Sequence, residues 1–174
     1  MRGTICFLCV TLALTSSPLS ARAQVSERKL GVSRYEREPL QIEKTNCDPS
    51  DQYFGTLSLV VLNATDKPVY YAEYVLTFSD FKIGEKQVVL TLCYGDEAIS
   101  RTNKPGDGDK PLKPTKTATL KIANGASKMM VDRLAAVGHR TAGVSAVLKL
   151  RTVCFGDGTR LQDGKVVTDE VSQR

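Results

Sequence analysis

Tryptophan is absent from this chain, and histidine occurs once, at His139. A single imidazole narrows catalysis and metal binding from the start. Nucleophilic catalysis needs a nucleophile, a base and an orienting group, and no Gly-x-Ser-x-Gly is present. His139 falls at the end of a predicted short helix, where the helix dipole alone favours such a residue. No cysteine pair has metal-ligand spacing. The acidic turn Gly106-Asp107-Gly108-Asp109 lacks the third acid and the distal Glu of a calcium loop. Asp157 and Asp163 could converge across the last hairpin, yet two acids near a turn are ordinary. No catalytic residue, metal ligand or cofactor site is therefore expected, and a hydrolase built on His139 is the lesser alternative. No internal repeat is present either.

Long apolar runs are also missing. Ile5 to Leu14 is about half of the roughly 20 residues a spanning helix needs. With Arg2 before it and Ala21-Arg22-Ala23 after it, residues 1–23 read as a secretory signal peptide cleaved after Ala23. Its removal takes away Arg2 and Arg22, lowering a net charge of +5. What remains is mildly basic, which together with export argues against a nucleic-acid partner. No membrane span is expected after cleavage, and the localisation expected is periplasmic or extracellular.

The chain is 41% hydrophobic and 25% charged, so it is globular rather than disordered. Residues 24–38 are charge-rich without periodicity and read as a flexible leader. Residues 39–168 read as one β domain, and 169–174 as a polar tail. Within the domain, Leu57, Leu59 and Val61 alternate with Thr56, Ser58 and Val60. After the turn residues 63–68, Tyr70, Ala72, Tyr74, Leu76 and Phe78 fall on one side, and Val69, Tyr71, Glu73, Val75 and Thr77 on the other. Spacing by two is the strand period, so these form two consecutive antiparallel strands at the middle of the fold. Pro39–Glu43 suits an edge strand. Residues 80–86 form a turn, and 87–94 a third strand with Val88, Leu90, Leu92 and Tyr94 on one face. Thr115–Ile122 alternates again. Ser127 caps a short helix whose Met130, Val131, Leu134 and Ala135 share a face, and Gly138 stops it. Val144–Phe155 is the longest strand candidate, and the Asp157-Gly158 turn returns it through 159–167.

Residues 95–114 hold three prolines and read as one long polar loop. Arg101, Asn103, Lys104, Asp107, Asp109 and Lys110 are its candidate binding residues. The aromatics Tyr53, Phe54, Tyr71 and Phe81 are the candidates for a sugar surface. Asn63-Ala64-Thr65 matches the N-glycosylation acceptor. Export permits a disulfide. In a two-layer sandwich with strands in chain order, Cys93 and Cys154 come to the same end and Cys47 toward the other, which favours a Cys93–Cys154 bridge over none. A strand lying between them would stand against it.

Two turns carry a resemblance. Leu59-Val60-Val61-Leu62-Asn63-Ala64-Thr65-Asp66-Lys67-Pro68-Val69 and Val153-Cys154-Phe155-Gly156-Asp157-Gly158-Thr159 resemble those of secreted bacterial proteins of unknown function with an immunoglobulin-like sandwich. Leu161 stands where those often place Trp. The resemblance implies an all-β, immunoglobulin-like antiparallel sandwich of about seven strands with one short helix. The function expected is a non-catalytic binding or structural module that recognises an unknown protein or glycan through loops at the sandwich ends. A periplasmic assembly chaperone, which would require an open edge strand, and a carbohydrate-binding module are the alternatives.

Overall fold

The computed structural model describes residues 30–48, 54–122, 125–136, 138 and 145–167. The expected signal peptide, residues 24–29 of the expected leader, Tyr53, His139 and the expected tail lie outside them. The elements run β1 (Leu30–Ser33), β2 (Leu40–Asn46), β3 (Ser58–Asn63), β4 (Val69–Ile83), β5 (Lys86–Tyr94), α1 (Glu97–Thr102), β6 (Thr117–Ile122), α2 (Ala126–Ala136), β7 (Ala146–Phe155), β8 (Arg160–Gln162) and β9 (Lys165–Val167).

All nine strands belong to one sheet, ordered β2-β3-β6-β5-β4-β7-β8-β9, with β1 lying parallel against β7. The immunoglobulin-like two-layer sandwich is not formed: the sheet curls on itself into a half-barrel, accompanied by two short helices rather than one. Alternation specifies that one face of each strand is buried, and the curl lets that face pack against itself. Leu40, Leu59, Val61, Tyr74, Leu76, Leu92, Leu120, Leu148 and Leu150 accordingly share one core. The Tyr74 hydroxyl crosses the interior to donate to the Leu40 carbonyl at 3.2 Å. The chain between Ser33, beside β7, and Leu40, at the start of β2, can reach at most about 25 Å. That tether and the Tyr74 bond hold opposite parts of the sheet together.

β3 and β4, expected as a consecutive pair, are separated by β6 and β5. β4 is the spine, flanked by β5 and β7. A register shift between Val69 and Tyr71 turns Val69 into the core, where Tyr70 was expected. β4 also runs on through residues 80–83, and the turn to β5 takes only residues 84 and 85. The extension is held by Phe81, buried in a tilted ring series with Phe78 and Phe54 at centroid distances of 6.2 and 6.3 Å. The last part of the expected leader is likewise ordered as β1.

β4 also keeps the expected disulfide apart. Cys93 pairs in register with Glu73 on one side of it, and Cys154 with Tyr71 on the other. Two strand spacings are about 9.5 Å, beyond the roughly 7 Å that a bridge tolerates, and Cys47, Cys93 and Cys154 carry no disulfide. Among the described residues no helix is long and apolar enough to cross a membrane.

Candidate binding groove

The expected recognition loop is folded onto the body of the protein. Asp96 caps α1 by accepting from the Ala98 N–H at 2.8 Å, and Ile99 is buried with Tyr71 and Cys154 on the outer side of the sheet. Asn103 ends the helix at φ 50° with its N–H on the Ile99 carbonyl. Its Nδ2 donates to the Gly158 carbonyl, tying α1 to the β7–β8 turn. Leu112 is buried and exchanges backbone hydrogen bonds of 2.7 and 3.0 Å with Val69. The other candidate residues are also used locally or face water. Arg101 pairs with Glu97 at 2.7 Å, and Asp109 accepts from the Gly106 N–H at 2.6 Å. The Lys110 carbonyl accepts from the Tyr94 hydroxyl at 2.7 Å. Lys104 and Asp107 are exposed.

The remaining candidates do not gather into a site. Phe54, Tyr71 and Phe81 are buried and offer no sugar platform. Asp157 binds Lys67 at 2.6 Å and Asp163 binds Lys149 at 2.6 Å, so the two acids serve separate cations. The Lys67 ammonium and the Thr159 N–H hold Asp157 down to about 2. Among the described residues no cluster of His, Cys, Asp and Glu could hold a metal ion.

A concavity lies elsewhere, beside the exposed edge of the sheet. β6 follows β3 along almost its whole length, but it meets β5 only at Leu92 and Cys93. β6 ends at Ile122, the partner of Leu92, so among the described residues Lys86 to Thr91 have no partner on that side, and α2 lies beside them. The Ser127 hydroxyl anchors α2 by donating to the Gly55 carbonyl at 3.0 Å, and Met130 is buried in the core. Between α2 and β5 runs a groove of about 380 Å³. Ala126, Met129, Met130 and Arg133 form its helical wall, at positions i, i+3, i+4 and i+7 of one face. Its other wall is the edge of β5 from Lys86 to Thr91. Met129 and Val89 are half exposed, at 52% and 48%.

Two cations and no carboxylate line this groove. Among the described residues, no acid lies within ion-pair distance of Lys86 or Arg133. The sequence held half of the signal. A methionine-bearing helical face was legible, but it was centred on Met130, Val131, Leu134 and Ala135. Ala135 is exposed, and the groove face is turned toward Met129 and Arg133. Which strand borders β5, and where it stops, depends on strand order, which alternation does not encode.

The outer face of the sheet carries a second polar group of residues. Glu73, 6% exposed, receives two hydrogen bonds from Arg151, at 2.6 and 2.8 Å. That pair braces β4 against β7. Beside it the Tyr71 hydroxyl meets the Cys93 Sγ at 3.5 Å. Burial of the sulfur pushes the Cys93 thiol up, although the residue as a whole is exposed, so it stays protonated at neutral pH. Burial raises Tyr71 as well. These groups stabilise one another and supply no activated nucleophile. Comparison with protein families, curated proteins and solved structures finds no match for this chain.

Proposed function

We propose that this chain is an exported, non-catalytic binding module that holds a protein partner in the groove between β5 and α2. One observation carries the reading: the groove leaves Met129 and Val89 half exposed between a sheet edge and a helix. Exposed apolar surface in a concavity, rimmed by polar groups, is the common mark of a binding site. Much of the 95–114 segment is fastened to the body through Ile99, Asn103 and Leu112, and among the described residues its exposed Lys104 and Asp107 lie on no concavity beside apolar surface, which favours the groove over the loop. Burial of Phe54, Tyr71 and Phe81 favours a protein over a glycan. Export rests on the signal-like residues 1–23 alone.

Photo-crosslinking tests this. A benzophenone amino acid is placed at Val89, and in a second protein at Lys104, and the partner captured in the exported fraction is identified and purified. Its affinity is then measured for wild type, Met129→Asp and Lys104→Ala. Loss of at least about tenfold with Met129→Asp alone is expected. Loss with Lys104→Ala while Met129→Asp binds normally would place recognition in the loop and end this reading.

A further inference from the structure

We infer that the groove takes an extended, acidic and apolar segment of the partner, which adds as a strand to the edge of β5. This rests on the groove being the binding site.

The first ground is the open edge. From Lys86 to Thr91, β5 pairs with β4 on one side and, among the described residues, with nothing on the other. Alternate residues of a strand present both N–H and C=O to the same neighbour, so about three of these six offer unmet backbone groups. Proteins normally blunt such an edge. The edge strand β2 is blunted in that way: its pairing with β3 shifts register between Ile42 and Lys44, beside Glu43, and most of its residues face water. β9 is only three residues long. The β5 edge carries the apolar run Val88-Val89-Leu90; its pairing with β4 shifts register between Val89 and Gln87, but the extra residues are on β4, so β5 itself runs unbroken, and a helix stands off from it by the width of a groove. A row of backbone donors and acceptors beside an apolar trough is the arrangement that strand addition uses.

The second ground is charge. Lys86 and Arg133 line the trough, and no carboxylate does. Lys128 stands exposed on the same helix. Asp132, also exposed, borders the shallow depression on the far side of Met129 and is not part of the trough. An incoming strand alternates its side chains across its two faces. One set therefore shares the face of Val89 and packs on it and on Met129, and acids in the other set, on the face of Lys86, meet Lys86 and Arg133. A second copy of this chain would bring the same two cations to the same place, so self-pairing through this edge is opposed by like charge.

The test uses synthetic octapeptides with Val, Leu or Phe at alternate positions and Asp or Glu between them. Three comparison sets carry Lys in place of the acids, N-methyl groups on alternate amides in one phase, or N-methyl groups in the other phase. Binding is followed by NMR on the full exported chain, with amide exchange read residue by residue. The acidic set should bind at least about tenfold more tightly than the Lys set. Lys86→Glu with Arg133→Glu should reverse that preference; both residues are exposed, and a melting curve confirms that the variant folds. One N-methyl phase should abolish binding while the other is tolerated, and alternate amides within Lys86–Thr91 should exchange at least about tenfold more slowly when peptide is bound. Binding that shifts Met129 and Arg133 signals without protecting β5 amides, or that tolerates both N-methyl phases, leaves the groove as the site and overturns strand addition. Equal binding of acidic and Lys peptides overturns the charge assignment. A partner that needs Met129 while no peptide set binds shows that the segment is not extended. β5 amides already protected in the free protein, with a dimer by light scattering, would show a second copy as the occupant.

Discussion

Gly95 offers a perturbation whose cost can be read from the geometry. It ends β5 at φ +80°, and a Cβ added there would stand 1.9 Å from the Tyr70 carbonyl oxygen, 3.1 Å from its carbon and 3.3 Å from the Tyr71 Cα. The obstructing atoms are main chain of β4 at its bulge between Val69 and Tyr71, not the far end of a flexible side chain, so relief requires the backbone to shift. Gly95→Ala therefore incurs about 1–2 kcal/mol for a left-handed residue bearing a Cβ, and the overlap forces the backbone to move. A total of at least about 3 kcal/mol is expected, in the range where a named packing fault is required. Gly84 is the control, with φ +63° and nothing within 4 Å of the added atom. Gly84→Ala should cost only about 1 kcal/mol. Urea unfolding followed by circular dichroism, at unchanged slope, gives both values. In a thermal scan Gly95→Ala should melt lower by about 10 °C. If the two variants fall within about 1 kcal/mol of each other, Gly95 does not lie against β4. The path from β5 into α1, and with it the seating of Ile99 on Tyr71, would then be wrong.

Other outcomes follow from the polar pairs and the strand order. Arg151→Met leaves the Glu73 carboxylate with only the Thr152 hydroxyl at 3.4 Å. It should cost about 2 kcal/mol in urea unfolding, below the figure for a fully buried pair because Arg151 is nearly half exposed. Glu73→Leu combined with Arg151→Leu should recover most of that, and a neutral Arg151→Met would refute the burial argument. Asp157 is depressed from 3.8 to about 2 by Lys67 and the Thr159 N–H. A depressed carboxylate stabilises above its unfolded pKa, so its contribution is complete above about pH 5 and fades as pH falls from about 4 toward 2. Asp157→Asn should thus lower stability at pH 6 and leave it unchanged at pH 2; an equal loss at both would show that the charge is not the cause. A chain beginning at Gln24, unfolded without reductant, should titrate with three thiols, whereas one thiol would mean a bridge and a different order of strands. In the native state the Cys93 thiol should react slowly near pH 7 and faster as the pH climbs through its raised pKa.

Individual strands were legible because alternation records burial residue by residue. Leu57, Leu59, Val61, Tyr74, Leu76, Phe78, Leu92, Leu148 and Leu150 are all buried on the face that their spacing assigns. Alternation does not say what covers that face, and a second sheet and a curl of the same sheet make the same demand on each strand. The choice depends on pairings distant in sequence, such as β3 with β6, and on a six-residue tether that no periodicity marks. α1 was locally legible. Asp96 before Glu97, with Arg101 four residues beyond Glu97, is a capping and ion-pair pattern, outweighed in reading by the surrounding prolines and glycines. Tyr70 was misassigned because a bulge shifts the phase of alternation without changing composition. The groove was the least legible feature. It lies where β5 runs on past the end of β6, and neither strand alone carries a sign of it.

Amide hydrogen exchange on the unliganded chain tests the open β5 edge most directly. Within β5, Leu92 and Cys93, which are paired with β6, should be well protected, as should the β4 amides from Tyr71 to Phe78. Between Lys86 and Thr91 protection should alternate, with the amides facing α2 exchanging at least about a hundredfold faster than those facing β4. Uniform protection from Lys86 to Tyr94 in a monomer would mean that another strand already covers this edge, and there would be no groove for a partner to enter.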